Sequence, residues 1–407
     1  MARFVCYIGG MGLPETTRAD ELRRRVSDTL PEVRSIRHSL HRIPELHFEE
    51  HKTSAALRAL LAGRRGLQVH DPILQTDVTA TLAGTGGGPC ILLRSDIDAL
   101  PIHERSGAAW SSETPGRAHS CGHDGHMAIL VGVTRVLEGY AGQLRGTVRF
   151  VFQPAEEEAA GGKVLIEKGL LTRGPRPDLA FALHGWPGMP MGVLSSAPGP
   201  AMAAADSFRI TVHGRGGHAA MPHRTRDPVL AAAQIITAAQ SAVSRSVDPA
   251  KPAVLSITHI EGGHATNVIP DEVVMEGTTR SFERSVQDLL RHRLERTVQS
   301  VCEASECTAE ITWDVGYVPL VNHAPAVDAA HRVVDSFLGS SRWHADHPPT
   351  MGAEDFAFYL EHVPGALLRL GLGEEWPALH SPLFDFNDQA LEAGITAFAG
   401  LALDLCR

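Results

Sequence analysis

Eight consecutive residues, His119-Ser120-Cys121-Gly122-His123-Asp124-Gly125-His126, carry side chains that could bind a metal ion. A thiolate at Cys121 and an imidazole at His123 can reach one divalent cation, because the neighbouring glycines let the backbone turn toward it. The chain has 22 histidines. A polar loop that is rich in histidine by chance, or a cysteine that is only buried, is therefore the alternative interpretation.

A run of three acids follows the strand predicted over 146–152. Glu156, Glu157 and Glu158 would repel one another unless a cation neutralises them. One of these acids could bind a metal ion while its neighbour transfers a proton. The alternative is a solvated acidic turn.

Two histidines lie just after other predicted strands. His184 follows the strand predicted over 178–183, and His380 lies in a loop after the strand predicted over 366–371. A single histidine at a strand end is more often structural than a ligand. The predicted strands that begin at Cys90 and Gly146 also end near side chains that could bind a metal ion. We therefore interpret both histidines as candidate ligands.

Asp96 and Asp98 follow the predicted strand that begins at Cys90. Ligands of open α/β sheets bind at the carboxyl edge of the strands, so acids in this position fit an active site. We expect Asp98 to orient a ligand or to support catalysis. The alternative is a helix N-cap followed by a solvated acid.

The elements that must position these residues alternate between strands and helices, which predicts an α/β fold. Pro31 is expected to kink the first helix or to begin a second one. Residues 1–14 are expected to be a disordered lead. Helices are predicted over 15–40, 49–62, 127–137, 162–170, 326–338 and 388–405.

A change in composition interrupts this pattern. Residues 188–205 are rich in Gly, Pro, Ala and Ser, which predicts a linker. The elements after it follow the order βαββαβ, which is that of a ferredoxin-like domain. We therefore predict a first domain over 15–200 and 319–407, interrupted by an inserted domain over 201–318.

Composition limits the classes of function. The net charge of −10 argues against nucleic-acid binding and against an anionic membrane surface. No run of 18 apolar residues is present, so no membrane span is expected. The six cysteines have no repeated spacing, which predicts free thiols in a reducing compartment, the cytoplasm.

The chain resembles the cocatalytic-metal aminoacylase/carboxypeptidase family, peptidase M20, in its branch of hippurate hydrolase and indoleacetyl-amino acid amidohydrolases. The resemblance runs from about residue 15 onward. It rests on the motifs HRIPELHFEE at 41–50, SDIDALPI at 95–102, HSCGHDGH at 119–126, FQPAEEE at 152–158, LHGWP at 183–187, GRGGHAAMPHRTRDP at 214–228, ATNVIPD at 265–271, MGAEDFAFY at 351–359 and LHSPLFDF at 379–386.

This resemblance implies a phosphorylase/hydrolase-like mixed-sheet metallohydrolase domain with an inserted domain that dimerises and acts as a lid. It implies two divalent metal ions per subunit, Zn or Mn, with Co or Ni as alternatives. It also implies a homodimer or a dimer of dimers. The implied metal ligands are Cys121, His123, Glu157, His184 and His380, with Cys121 bridging the ions.

The resemblance also implies roles for residues outside the ligand set. Glu156 would be the general acid and base, and Asp98 the supporting acid. His218, Asn267 and Arg280 belong to the inserted domain, where the matching histidine reaches into the partner's site and the other two could bind the substrate carboxylate. The alternatives are a loop histidine for His218 and a surface charge at a strand end for Arg280.

Two departures from the family pattern are visible. Related branches have a histidine ligand where this chain has Asp96, and a run of glycines where it has Glu158-Ala159-Ala160. The expected activity is hydrolysis of the amide bond of N-acyl amino acids. The alternatives are a metallo-aminopeptidase or dipeptidase, and a catalytically silent protein of the same fold.

Overall fold

The computed structural model describes residues 15–345 and 348–407. The expectation for residues 1–14 lies outside this part of the chain. The α-helices are α1 (Glu15–His41), α2 (His51–Leu61), α3 (His123–Glu138), α4 (Gly161–Glu167), α5 (Pro228–Ser241), α6 (Arg284–Ala304), α7 (Ala324–Phe337), α8 (Ala357–Leu360) and α9 (Leu391–Leu405).

The strands form one large sheet, one smaller sheet and two short pairs. They are β1 (Leu67–Val69), β2 (Val78–Ala83), β3 (Cys90–Asp96), β4 (Thr147–Gln153), β5 (Leu179–Trp186), β6 (Leu194–Ser195), β7 (Gly199–Met202), β8 (Ala204–His213), β9 (Gly217–His218), β10 (Ala253–Glu261), β11 (Val268–Ile269), β12 (Glu272–Ser281), β13 (Thr308–Tyr317), β14 (Leu320–Asn322), β15 (Trp343–His344) and β16 (Gly365–Gly371).

The main sheet is mixed and has eight strands in the order β1-β2-β4-β3-β5-β16-β6-β15. Its four central strands β4, β3, β5 and β16 are mutually parallel. Their carboxyl ends therefore meet at one edge, where a ligand site is expected in an open α/β sheet.

Both faces of the main sheet are covered, and strand β3 shows how the sequence achieves this. Ile91 and Leu93 belong to one core cluster and Leu92 to the other, because successive side chains of a strand point to opposite faces. Helices α1, α3, α7 and α9 pack together on the first face, while α4 and α8 pack on the second.

The elements from Ala204 to Tyr317 form a smaller unit with its own core. Its antiparallel sheet has the order β10-β12-β8-β13. Phe208, Ile210 and Val212 alternate along β8 and pack against α5 and α6. The chain order of these elements is β8-α5-β10-β12-α6-β13, and the short strands β9 and β11 form a separate pair within this part of the chain.

The large mixed α/β sheet agrees with the predicted fold class, but two local predictions were wrong and one of the two alternatives for Pro31 is excluded. The predicted linker over 188–205 contains strands β6 and β7 and the start of β8. Pairing of β6 with β16, and of β7 with β14, overrides the weak strand preference of this Gly- and Pro-rich segment. Pro31 does not begin a second helix, since it lies inside the continuous helix α1. Helix α3 begins at His123 and not at Met127, so His123 lies in its first turn.

None of the helices in the described ranges combines the length and the apolar character needed to cross a membrane.

Candidate active site

The turn into helix α3 brings Cys121 and His123 under the carboxyl edge of the main sheet. Gly122 has a φ of +91°, a conformation that side chains other than glycine rarely adopt. Gly125 lies against the ring of Phe386, where an added Cβ would come within 2.3 Å of ring atoms. These two glycines let the helix begin close to the ring and leave Cys121 and His123 buried.

The five predicted metal ligands converge in two groups that share Cys121. Candidate ligand atoms of Cys121, His123 and His184 lie within 4.8 Å of one another, and so do those of Cys121, Glu157 and His380. Cys121 Sγ lies 3.4 Å from His184 Nε2. His380 Nε2 lies 3.5 Å from Glu157 Oε2. Cys121 is therefore common to both groups of candidate ligands.

The chemistry of this cluster fits divalent cations. His123 Nε2 and Glu157 Oε1 are buried, lie 3.7 Å apart and have no hydrogen-bond partner among the described residues. Buried polar atoms are normally paired, so these two atoms call for a partner such as a metal ion. Thiolate, imidazole and carboxylate together suit zinc and related metals. Burial, followed by the nearby Glu157 and Glu156, raises the pKa of the Cys121 thiol well above its usual value. A bound cation would oppose this effect, because it stabilises the thiolate.

Two histidines of the cluster, His184 and His123, are oriented through their other ring nitrogen. His184 Nδ1 lies 2.8 Å from the carbonyl oxygen of Gly185. His123 Nδ1 lies 2.9 Å from the carbonyl oxygen of Asp98 and 3.1 Å from its carboxylate. The second oxygen of that carboxylate accepts a hydrogen bond of 2.9 Å from Glu157 N. Asp98 therefore contacts two of the candidate ligands, and such contacts typically fix ligand orientation.

Glu156 is buried beside the cluster and faces other acids. Burial raises the pKa of Glu156 well above its usual value, and Glu354, Glu157 and Asp355 add to this effect, while Arg94 opposes it. Glu156 Oε1 accepts a hydrogen bond of 3.4 Å from Asp355 N. A carboxylate with a raised pKa next to candidate metal ligands can accept and return a proton.

Arg94 and its acidic partners form a buried charge cluster that the sequence analysis missed. The Arg94 guanidinium lies 2.7 Å from Asp96 and Asp355, and 3.1 Å from Glu354. The signal was present, because an arginine inside an apolar strand must be paired when it is buried. Glu354 and Asp355 lie in the MGAEDFAFY motif, to which no role was given.

His126 belongs to the same short motif as Cys121 but is fully engaged elsewhere. Its Nδ1 lies 2.7 Å from Asp96 Oδ1, and its Nε2 accepts a hydrogen bond of 2.8 Å from Gly185 N. Both ring nitrogens are thus occupied. His126 therefore bridges the Asp96 carboxylate and the backbone of Gly185, next to His184. Asp96 contacts both His126 and Arg94.

A second buried ionic network lies behind the motif. Arg37 and His41 of α1 contact Asp124 at 3.0 and 2.8 Å, and His41 also contacts Glu104 at 3.2 Å. Burial alone would lower the pKa of His41, but Asp124 and Glu104 raise it to about 10. The network joins α1 to the first turn of α3, next to His123.

Backbone strain is concentrated around the cluster. Five non-glycine residues of the described chain have positive φ, and four of these lie in the segments that carry or flank the candidate site. They are Phe48, Ala155, Ala160 and His380. Such conformations persist when surrounding contacts enforce them, and they are common at functional sites.

The three predicted residues of the smaller unit lie apart from this cluster. His218 of β9 and Asn267, which immediately precedes β11, are both exposed, and Ala219 N donates to Asn267 O at 3.0 Å. His218 Nδ1 accepts a hydrogen bond of 3.0 Å from Ala220 N. Arg280 lines a cavity of about 350 Å³ between the two units, together with Glu158 and Tyr317. The structure thus brings together the five predicted ligands, Glu156 and Asp98, and it does not bring His218 or Asn267 to them.

Known proteins resemble this chain over most of its length. The model of peptidase family M20/M25/M40 matches residues 92–404. The chain is 39% identical over 362 residues to N-acetyl-L-cysteine deacetylase of Bacillus subtilis, covering 88% of this chain and 84% of that protein. It is 35% identical over 375 residues to IAA-amino acid hydrolase ILR1-like 4 of Arabidopsis thaliana, covering 90% and 84%.

A solved structure gives the same result. The Bacillus subtilis YXEP protein, a dinuclear metal binding peptidase from the M20 family, superposes with a TM-score of 0.81 at 33% identity, covering 93% of this chain and 99% of that one. The resemblance inferred from the sequence motifs is confirmed, and the chain belongs to the hydrolases of peptidase family M20/M25/M40.

Proposed function

We propose that the protein is a dinuclear metal-dependent amidohydrolase that cleaves the amide bond of N-acyl amino acids. The observation that carries this proposal is the convergence of Cys121, His123, Glu157, His184 and His380 beside the buried carboxyl of Glu156. Relatives named for N-acetyl-L-cysteine deacetylation and for hydrolysis of IAA-amino acids support the substrate class.

The proposed chemistry assigns one role to each part of the site. Cys121, His123, Glu157, His184 and His380 would hold two divalent ions, Zn or Mn first and Co or Ni as alternatives. These ions, when bound, supply Lewis acidity and lower the pKa of water. Glu156 takes a proton from the attacking water and later gives it to the departing amine, while Asp98 holds His123 and Glu157 in orientation.

We further propose that the smaller unit is an inserted ferredoxin-like domain over 201–318, within a catalytic domain of 15–200 and 319–407. Its sheet order and its separate core support this division. The domain would dimerise and act as a lid, with His218 stabilising the reaction's oxyanion in the partner's site. Asn267 and Arg280 would bind the substrate carboxylate, for which a guanidinium is well suited.

We propose that the protein is a homodimer or a dimer of dimers in the cytoplasm. Its substrates would be small molecules and not nucleic acids. The five cysteines of the described residues are free and buried, which is consistent with a reducing compartment.

A substrate panel tests this function. The protein is stripped with a chelator, reloaded with Zn²⁺, Mn²⁺, Co²⁺ or Ni²⁺, and assayed on N-acetylcysteine, hippurate and an indoleacetyl amino acid. Unblocked dipeptides and a free-amino-terminus tripeptide form the comparison set. We expect release of the amino acid from the N-acyl substrates, and only from metal-loaded protein. Faster cleavage of the unblocked peptides would instead identify a dipeptidase or an aminopeptidase.

A further inference from the structure

Three consecutive residues of the acid segment, which we define as residues 155–157, are each held by a side chain from a distant part of the chain. Ala155 N donates to the Glu50 carboxylate at 2.9 Å, and Glu157 N donates to the Asp98 carboxylate at 2.9 Å. The Tyr317 hydroxyl donates to the carbonyl oxygen of Glu156. The backbone on both sides of the proposed base is therefore positioned from outside the segment.

The acid segment would not keep this conformation by local preference. Ala155 has a φ of 58°, and this left-handed region is unfavourable for a residue with a Cβ. A strained segment of this kind persists when surrounding contacts enforce it. The three external hydrogen bonds are such contacts, and they hold the backbone from which the Glu156 side chain projects.

Tyr317 differs from the other two contacts because it belongs to the smaller unit. Glu50 precedes α2 and Asp98 follows β3, whereas Tyr317 is the last residue of β13 and pairs with Ala205 of β8. Its own carbonyl oxygen accepts a hydrogen bond of 3.3 Å from Gln287 of α6. Tyr317 is thus fixed within the smaller unit and reaches across to the acid segment of the main unit.

The Tyr317 phenol is suited to donate in this place. Burial raises its pKa, and the nearby carboxylates of Glu156, Asp355 and Asp98 raise it further. The hydroxyl therefore keeps its proton at any pH at which the enzyme would work.

We propose that Tyr317 is a positioning residue, whose hydroxyl holds the Glu156 peptide so that the Glu156 carboxyl faces the cluster of candidate metal ligands. Its catalytic consequence rests on the proposed amidohydrolase function, but the contact itself does not. A residue of the smaller unit thereby sets the geometry of the base in the main unit.

The substitution Tyr317→Phe tests this role, because it removes the hydroxyl and keeps the ring. We expect kcat on the best N-acyl substrate to fall about tenfold, because loss of one hydrogen bond that positions the base corresponds to a factor of about this size. KM, metal content by elemental analysis and Tm should stay close to wild type. Hydrogen–deuterium exchange of a peptide covering residues 153–160 should become faster.

Tyr140→Phe is the matched control, since Tyr140 is also buried and lies against Arg25 of α1 and not against the candidate site. It lies beyond the carboxyl end of α3, away from His123, and should match wild type in every measurement. Unchanged kcat and unchanged exchange in Tyr317→Phe would overturn the proposal, and so would a lower kcat explained by lost metal. Wild-type protein that is inactive on the whole panel would overturn the function instead, and the exchange measurement would still decide whether Tyr317 holds the segment.

Discussion

Glu156 and Glu157 are adjacent in sequence, yet they have different surroundings. Glu157 Oε1 and Oε2 face His123 and His380, whereas the Glu156 carboxyl contacts Asp355 N and lies near the acids Glu354 and Asp355. Two neighbouring carboxyls whose environments differ in this way can take different roles, one as a metal ligand and one in proton transfer.

The substitution Glu156→Gln tests this division of roles. An amide cannot accept the proton, so kcat should fall by roughly 10²–10⁴-fold, the usual contribution of a general base. Metal content should remain that of wild type. Glu158→Gln is the control, because Glu158 is about half exposed and pairs with His47 at 3.2 Å; its kcat should change little. Near-full activity of the Glu156 variant would show that the base is another residue.

The substitution Cys121→Ser tests the shared ligand. A serine hydroxyl does not ionise near neutral pH as a metal-bound thiol does, so the variant should lose at least one ion per subunit after dialysis. Elemental analysis measures this loss. Cys302→Ser changes another buried cysteine, in helix α6 of the smaller unit, and should leave the metal content unchanged. Identical metal content in the Cys121 variant and the wild type would remove Cys121 from the ligand set.

At the scale of elements, the loop between β4 and α4 stores strain that a single residue change can release. Ala160 has a φ of 48°, whereas the φ of Ala159 is not positive. Glycine adopts this conformation without a Cβ penalty, although it also loses more entropy on folding. Ala160→Gly should therefore raise the free energy of unfolding by about 0.5–1 kcal/mol.

The neighbouring substitution Ala159→Gly provides the matched control. It adds the entropy cost without relieving strain, so it should lower the free energy of unfolding by about 0.5–1 kcal/mol. Chemical denaturation of both variants measures the two changes. If both substitutions lowered the free energy of unfolding, the positive φ at Ala160 would carry no cost.

The ionic network between α1 and α3 predicts a pH-dependent stability. His41 has a pKa of about 10 in the folded protein, compared with an ordinary histidine pKa of 6.5. The stabilisation from its protonated ring is therefore complete below pH 6.5 and is lost as the pH rises toward 10. Urea unfolding of wild type and His41→Gln should converge over this range, because the variant lacks the titrating group.

The control for this measurement is His331→Gln on helix α7, where His331 is about half exposed and pairs with Asp335. Its unfolding free energy should follow the wild-type pH profile. Parallel profiles for wild type and His41→Gln would contradict the role of His41.

These elements also show what the sequence could and could not predict. Apolar periodicity identified α1, because apolar residues that recur every three or four positions, such as Leu22, Val26 and Val33, form its buried face. The motifs at 119–126, 152–158, 183–187 and 379–386 identified the candidate ligands that converge. Arg94 and His126 were missed as parts of the site, because their partners Glu354 and Gly185 lie far along the chain. The strands in 188–205 were missed because their pairing is tertiary and not local.

At the scale of the whole molecule, the proposed dimer gives a role to His218, whose side chain is exposed and lies apart from the candidate metal ligands. In the proposed dimer, His218 of one subunit completes the site that contains Glu156 of the other. Mixing His218→Ala with Glu156→Gln subunits should then restore about a quarter of wild-type activity, since half of the dimers are mixed and each has one intact site.

Each variant alone provides the baseline, and subunit exchange is verified with differently tagged chains. Activity that stays at the baseline after exchange would show that each subunit supplies its own His218.

Strand β16 lies between β5 and β6, although the whole smaller unit separates it from them in sequence. During synthesis, β5 leaves the ribosome with one edge unpaired, and it stays so until residues 365–371 emerge. Unpaired edges readily join other chains. Nascent molecules are consequently most prone to aggregate while the smaller unit is being translated, when Cys121, His123, Glu157 and His184 have already emerged but His380 has not.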